Sequence, residues 1–144
     1  MPDLPHLTVA TIVCRHHRYL MVEEYDNGHL VLNQPAGHVE PGEDLLVAAV
    51  RETEEETGWR VVPQHLIGIF QYTSAVNAIS YTRLAFAAAP IEQLNIAIDP
   101  DIASVHWLGN DEIGRRRLRS PMVQACIDAY EAGVQLPLDA IHQL

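Results

Sequence analysis

Positive charge is scarce in this chain, with nine Lys plus Arg against nineteen Asp plus Glu and a formal net charge of −10. Affinity for a long polyanion comes from Lys and Arg displacing counterions, so a nucleic-acid polymer is not an expected partner. A protein this acidic that acts on phosphates needs metal ions. Cysteine is nearly absent. Cys14 and Cys126 stand apart without the paired spacing of zinc sites or redox motifs, and both read as free thiols. No apolar stretch is long enough to cross a bilayer, and the first residues, MPDLPHLTVATIV, lack the basic start, apolar run and cleavage site of a secretory signal. A cytoplasmic protein without a membrane partner is expected. There is no internal repeat and no low-complexity linker, while apolar residues make up 48% of the 144 positions. That length and spread predict one domain over residues 1–144, working as a monomer.

What is present alternates strand-like and helix-like patterns. Leu7 to Cys14 and Tyr19 to Glu24 are rich in β-branched and aromatic residues around a short polar link, and read as two strands. Asn27-Gly28 marks a tight hairpin turn, because both residues tolerate positive φ, and leads into a strand at His29 to Leu32. Pro41-Gly42 breaks the chain, after which Glu43 to Thr57 reads as a helix stopped by Gly58. Trp59 to Val62, Leu66 to Thr73, Ser80 to Ala89 and Ser104 to Leu108 read as further strands. Asn110-Asp111-Glu112 opens a short helix, and Ser120-Pro121 opens another that runs to about Ala132 and is capped by Gly133. The predicted fold class is α/β, a mixed β-sheet sandwiched between α-helices.

The chemistry is concentrated in Gly37 to Trp59, GHVEPGEDLLVAAVRETEEETGW. Glu52, Glu55 and Glu56 lie at i, i+3 and i+4, on neighbouring positions of one helix face with Cβ atoms about 5–6 Å apart. Glu54 points elsewhere. Leu45, Ala48 and Ala49 carry that face toward the N-terminus, so the acidic patch is expected to adjoin packed sheet. A merely solvated acidic end is energetically poor: like charges at this spacing repel by about a few tenths of a kcal/mol per pair. The negative end of the helix dipole disfavours each anion by roughly 0.3–1 kcal/mol. A cation removes both penalties. Hard carboxylate oxygens, with no Cys and no His at ligand spacing in the helix, suit Mg²⁺ or Mn²⁺ better than zinc.

Gly37, Glu43, Arg51, Glu52, Glu55, Glu56 and Gly58 also match, at every specified position, the signature of the Nudix hydrolases. Beyond that box the chain resembles the NudJ phosphatases of this family. The resemblance rests on Thr8 to Ala10, Val22 to Glu24, the NQPAGH run Asn33 to His38, Pro63 to His65, Asp99-x-Asp101-Ile102, Trp107, Leu118 to Pro121 and Pro137-Leu138. It implies the Nudix fold and cleavage of phosphoanhydride bonds in nucleoside diphosphates and triphosphates, thiamine pyrophosphate and its hydroxymethylpyrimidine precursor's pyrophosphate, with release of orthophosphate. It further implies that Glu52, Glu55 and Glu56, with the Gly37 carbonyl, ligate the metal, and that Arg51 and Glu43 hold loop and helix together to orient those ligands. The general base in such enzymes comes from the box, here Glu52 or Glu56, or from a later loop, here Asp99 or Asp101.

Outside the box several residues stay open between two roles. One of Glu23 and Glu24, at a strand end, can reach the metal. Arg83, in a strand of otherwise apolar and small residues, either clamps a substrate phosphate or faces water at the sheet surface. Tyr72 either stacks on a heterocycle or packs. His38 either bonds near the phosphates or shapes its loop. Arg119 is a candidate substrate contact, whereas Arg115, Arg116 and Arg117 read as a solvated helix face. Leu32 stands where the resembled proteins carry Trp, which puts base stacking from that position in doubt. Rival readings are an ADP-ribose or other nucleotide-sugar pyrophosphatase and a non-catalytic nucleotide-sensing module. The subgroup markers of the former and the broken box of the latter are both missing.

Overall fold

Six consecutive residues, Thr8 to Val13, are buried in the first strand. Such a run demands cover on both faces of the sheet, and two helices supply it. The computed structural model describes residues 4–144; residues 1–3, the start of the stretch MPDLPHLTVATIV, lie outside them. Its strands are β1 (His6–Arg15), β2 (Arg18–Asp26), β3 (His29–Asn33), β4 (Ala36–His38), β5 (Trp59–Thr73), β6 (Ser80–Gln93) and β7 (Ile102–Leu108). The helices are α1 (Leu45–Thr57), α2 (Asn110–Ile113) and α3 (Pro121–Glu131), followed by a 3₁₀ turn at Leu138–Ala140. β1 pairs in parallel with β6 and antiparallel with β4, and β6 pairs antiparallel with β5. The last residues of β1 turn into β2, which is flanked by β3 and β7.

The alternation along β1 divides the core. Val9 faces α1, where Ala48, Ala49, Leu66, Leu84 and Phe86 join it. Ile12 faces α3, against Val123, Cys126 and Ile127, with Met21, Leu32 and Ile67 around them. This is the expected α/β sandwich. Both thiols are free, Cys126 buried and Cys14 half-buried. Among the described residues no helix is long and apolar enough to cross a membrane.

Several boundaries differ from the sequence reading. α1 begins at Leu45 rather than Glu43, because Asp44 is its N-cap: Oδ1 accepts from Leu46 N at 2.8 Å and Val47 N at 3.0 Å. The two strands expected on either side of Pro63 are one, β5, bulged at Pro63–His65 and again at Leu66–Gly68. β5 ends the strand order, and a proline is tolerated at such an edge, where its missing N–H breaks no ladder bond. β4 was not expected; its three residues pair with β1 right after the buried Pro35. Arg115, Arg116 and Arg117 are exposed as expected, but they lie in the turn after α2 and not on a helix.

Candidate active site

The last turns of α1, the short strand β4 and the ends of β2 and β6 enclose a cavity of about 470 Å³. Its lining carries both signs: Glu52 and Glu56 from α1 with Glu24, Asp26 and Glu40, and Arg83 with Arg119, together with Asn33, His38, Tyr72 and Tyr81. Strand register explains the gathering. Thr8 of β1 opposes both Arg83 of β6 and His38 of β4, so these three share one face. Tyr81 opposes both His6 and Tyr72, which adds an aromatic row on that face.

The acidic side is built against β4. A Cβ on Gly37 would collide with the Glu52 carboxylate, so glycine there lets the carboxylate rest against backbone. Glu56 is buried, and its Oε1 accepts from Ala36 N at 2.9 Å. Burial, then the charges of Glu24, Glu52 and Asp99, push the Glu56 carboxyl up to about 8 against the opposing Ala36 N–H. Burial also raises Glu52, against the pull of Arg51.

Arg51 ties loop and helix together. Its Nε and Nη2 donate to Glu43 at 2.7 and 2.9 Å, its Nη1 to Glu52 at 2.9 Å and Glu55 at 3.2 Å, and Nη2 also to the His38 carbonyl at 3.1 Å. The bonds from Arg51 hold Glu43 well below the usual carboxylate range, and Glu43 in turn holds the Arg51 guanidinium charged. Among the described residues no three His, Cys, Asp or Glu side chains are gathered as a metal-holding group. Arg51 supplies the counter-charge to Glu52 and Glu55 here. The donor set nevertheless fits a hard divalent cation: Glu52 and Glu56 are carboxylates facing one cavity, the missing side chain of Gly37 lets Glu52 lie against the backbone of β4, and the buried Glu56 has no cationic side chain bonded to it.

The two arginines differ in burial, Arg119 being exposed and Arg83 buried. Arg83 is only 5% exposed, which overturns the water-facing reading; its alternating position in β6 turns it toward α3 and the cavity. Arg119 Nη1 bonds Glu24 Oε1 at 2.8 Å, and Asn33 Nδ2 donates to the same oxygen at 3.2 Å. Of the two glutamates at the end of β2, Glu24 therefore faces the site. Glu23 faces away, toward His106 at 2.7 Å, Ser104 at 3.0 Å and Arg116 at 3.5 Å. His38 Nε2 lies 2.9 Å from His6 Nδ1; partial desolvation of the ring, then the charges of His6 and Arg119, lower its proton affinity.

Other sequence candidates fall outside the cavity. Glu43, Arg51 and Glu55 do not line it; Arg51 bonds both glutamates and reaches the cavity only through its bond to Glu52. Asp99 and Asp101 do not line it: Asp99 N bonds the Glu55 carbonyl at 2.7 Å, while Asp99 Oδ1 accepts from Asp101 N at 2.9 Å. Leu32 is 1% exposed in the core facing α3, so the residue at that position packs and does not reach a substrate ring. Asn33, Gln34, Tyr81 and His6 were missed. Asn33 and Gln34 stand in the run just before the box glycine, and Tyr81 is two residues from Arg83 on the same strand face.

The NUDIX domain family model matches residues 4–126, and a chain matched over that span belongs to the Nudix family. It is a hydrolase of phosphoanhydride bonds in small molecules, a class that generally uses divalent metal ions. Among its relatives, Phosphatase NudJ of Escherichia coli (strain K12) is 41% identical over 140 residues, covering 95% of this chain and 90% of that protein. A Nudix hydrolase of Nitrosomonas europaea superposes with a TM-score of 0.95 at 38% identity, over 98% of each chain. The Nudix domain of Shewanella oneidensis NrtR complexed with ADP ribose shares the fold, with a TM-score of 0.73 at 18% identity over 90% and 89% of the two chains.

Proposed function

We propose that the chain is a magnesium-dependent phosphatase of small diphosphates and triphosphates, with manganese as a substitute ion. Its substrates are nucleoside di- and triphosphates, thiamine pyrophosphate and hydroxymethylpyrimidine pyrophosphate, and it releases orthophosphate. One observation carries the reading: a single cavity is lined both by the carboxylates of Glu52 and Glu56 and by two arginines, Arg83 and Arg119. A polyphosphate held by cations complements both charges at once. The kinship with Phosphatase NudJ supports the same reaction.

In this reading Glu52, Glu55, Glu56 and the Gly37 carbonyl hold the metal, and Arg51 with Glu43 keeps those ligands in place. Bound divalent ions supply charge neutralisation on the phosphate oxygens and acidify the attacking water. Glu52 and Glu56 line the cavity and Asp99 and Asp101 do not, so a box glutamate takes the water's proton. Arg83 and Arg119 meet phosphate oxygens, while His38, Tyr72 and Tyr81 border the organic group. Most binding then comes from phosphate oxygens, which favours breadth in the organic end. Base discrimination falls to the two tyrosines, since Leu32 is core.

The test is phosphate release from GDP, thiamine pyrophosphate, hydroxymethylpyrimidine pyrophosphate and ADP-ribose, assayed without added phosphatase and with chromatography of the organic product. Orthophosphate plus the monophosphate is expected from the first three. Free phosphate only after a phosphatase is added, or ADP-ribose as best substrate by more than about tenfold, overturns the reading in favour of an internal pyrophosphatase.

A further inference from the structure

Arg83 is a buried charge without an anion of its own. Its Nη1 donates to Gln34 Oε1 at 2.9 Å and its Nη2 to Asn33 Oδ1 at 3.3 Å, both neutral amide oxygens. Neither amide is free to turn: Gln34 Nε2 donates to the Val123 carbonyl at 2.6 Å, and Asn33 Nδ2 donates to Glu24 at 3.2 Å. The guanidinium is thus aimed, but not neutralised. Its Nε is buried and has no hydrogen-bond partner. The Cys126 thiol lies beside it, yet burial pushes that thiol up, so it stays neutral and accepts weakly. The nearby carboxylate, Glu24, is already engaged by Arg119 and Asn33.

A guanidinium kept in a low-dielectric place without a counter-ion is costly unless something outside the chain supplies one. Arg83 lines the same cavity as Glu52 and Glu56. In the sheet it lies across β1 from His38, with Thr8 between them, so roughly two strand spacings, about 10 Å, separate it from the strand that carries Gly37. A planar fork at that distance suits a tetrahedral oxyanion with more than one free oxygen.

We infer that Arg83 is the specificity determinant for an unesterified terminal phosphate, the group that distinguishes a compound ending in a diphosphate from one whose two phosphates are both esterified. The inference rests on the phosphatase reading above. An end phosphate offers three non-bridging oxygens and close to two negative charges to the fork. The same phosphorus, once esterified, keeps only two non-bridging oxygens and one negative charge. Asn33 and Gln34 are positioning residues that hold the fork toward the ligand.

ADP and ADP-ribose form the test pair, because they differ only by the ester on the terminal phosphate. With the unaltered protein, kcat/KM for ADP exceeds that for ADP-ribose. In Arg83→Gln the ADP value falls by at least about tenfold through KM and the ADP-ribose value falls by clearly less, so the preference narrows. Arg83→Lys, which keeps the charge and loses the fork, recovers only part of it. Inorganic phosphate in EDTA gives a readout without catalysis: it raises the melting temperature of the unaltered protein and leaves Arg83→Gln unmoved. Equal losses on both substrates, or a phosphate shift that persists in Arg83→Gln, overturn the inference while leaving the phosphatase reading intact. If the unaltered protein releases no phosphate from ADP, the phosphatase reading itself fails. Should neither variant fold, the unaltered protein decides: no stabilisation by about 10 mM phosphate overturns the assignment.

Discussion

Glu56 carries the sharpest consequence at the scale of single residues. Its carboxyl is pushed up to about 8, chiefly by burial, so the metal-free folded protein binds a proton there that the unfolded chain releases at much lower pH. The resulting stabilisation is complete in acid and is lost as pH rises through about 8. The melting temperature of metal-free protein should therefore fall between about pH 5 and about pH 9, and Glu56→Gln should flatten that slope and raise the melting point at the alkaline end. Calorimetry in EDTA across the range checks this; a wild-type slope that Glu56→Gln reproduces contradicts it. Gly37 makes a second residue-scale test. A methyl group on it meets the Glu52 carboxylate, so Gly37→Ala should displace that carboxylate and cut kcat by at least about tenfold with only a small change in melting temperature. Activity within threefold of the parent would show that Glu52 has no need of that groove.

Among the elements, α1 shows what sequence can and cannot reveal. Helical spacing alone brought Glu52 and Glu56 together but did not show that Glu55 would turn to Arg51 outside the cavity; the helix end was legible because Gly58 sits at φ 74°, where a side chain is strained. Its start was misread by two residues, since Glu43 and Asp44 are both plausible openers and only the backbone geometry shows which one caps. Asp44→Ala should accordingly cost about 1 kcal/mol of stability, read as a lower urea midpoint, without abolishing activity. No change in midpoint would mean the cap bonds contribute nothing net. The continuity of β5 across Pro63 was illegible for a different reason: a proline reads as a breaker unless the strand is known to lie at an edge. The basic wall of the site needed the sheet itself. Arg83 is adjacent in sequence to Leu84 but shares a face with Thr8 and His38, and that grouping depends on register between strands far apart in the chain. Gln34 and Asn33 were noticed only as part of the run that carries the family resemblance; their role in the site was not read, because neutral amides carry no charge pattern.

For the whole molecule, the two helices fix the division of labour. α1 brings carboxylates to one side of the sheet edge, while the sheet face under α3 brings Arg83, and the cavity opens where the short β4 ends between them. A cation that binds only this folded arrangement stabilises it by mass action, so millimolar magnesium should raise the melting temperature. The rise should grow with pH as Glu56 loses the proton that competes with the ion, and shrink in Glu56→Gln; a pH-independent rise would place the ion elsewhere. The most direct measurement is orthophosphate release from GDP by wild type and by Glu56→Gln, each with magnesium and with EDTA. The account predicts release by wild type with magnesium, almost none in EDTA, and a loss of at least about a hundredfold in Glu56→Gln at saturating metal while the fold persists. Undiminished release in EDTA, or a Glu56→Gln protein within threefold of wild type, would contradict it.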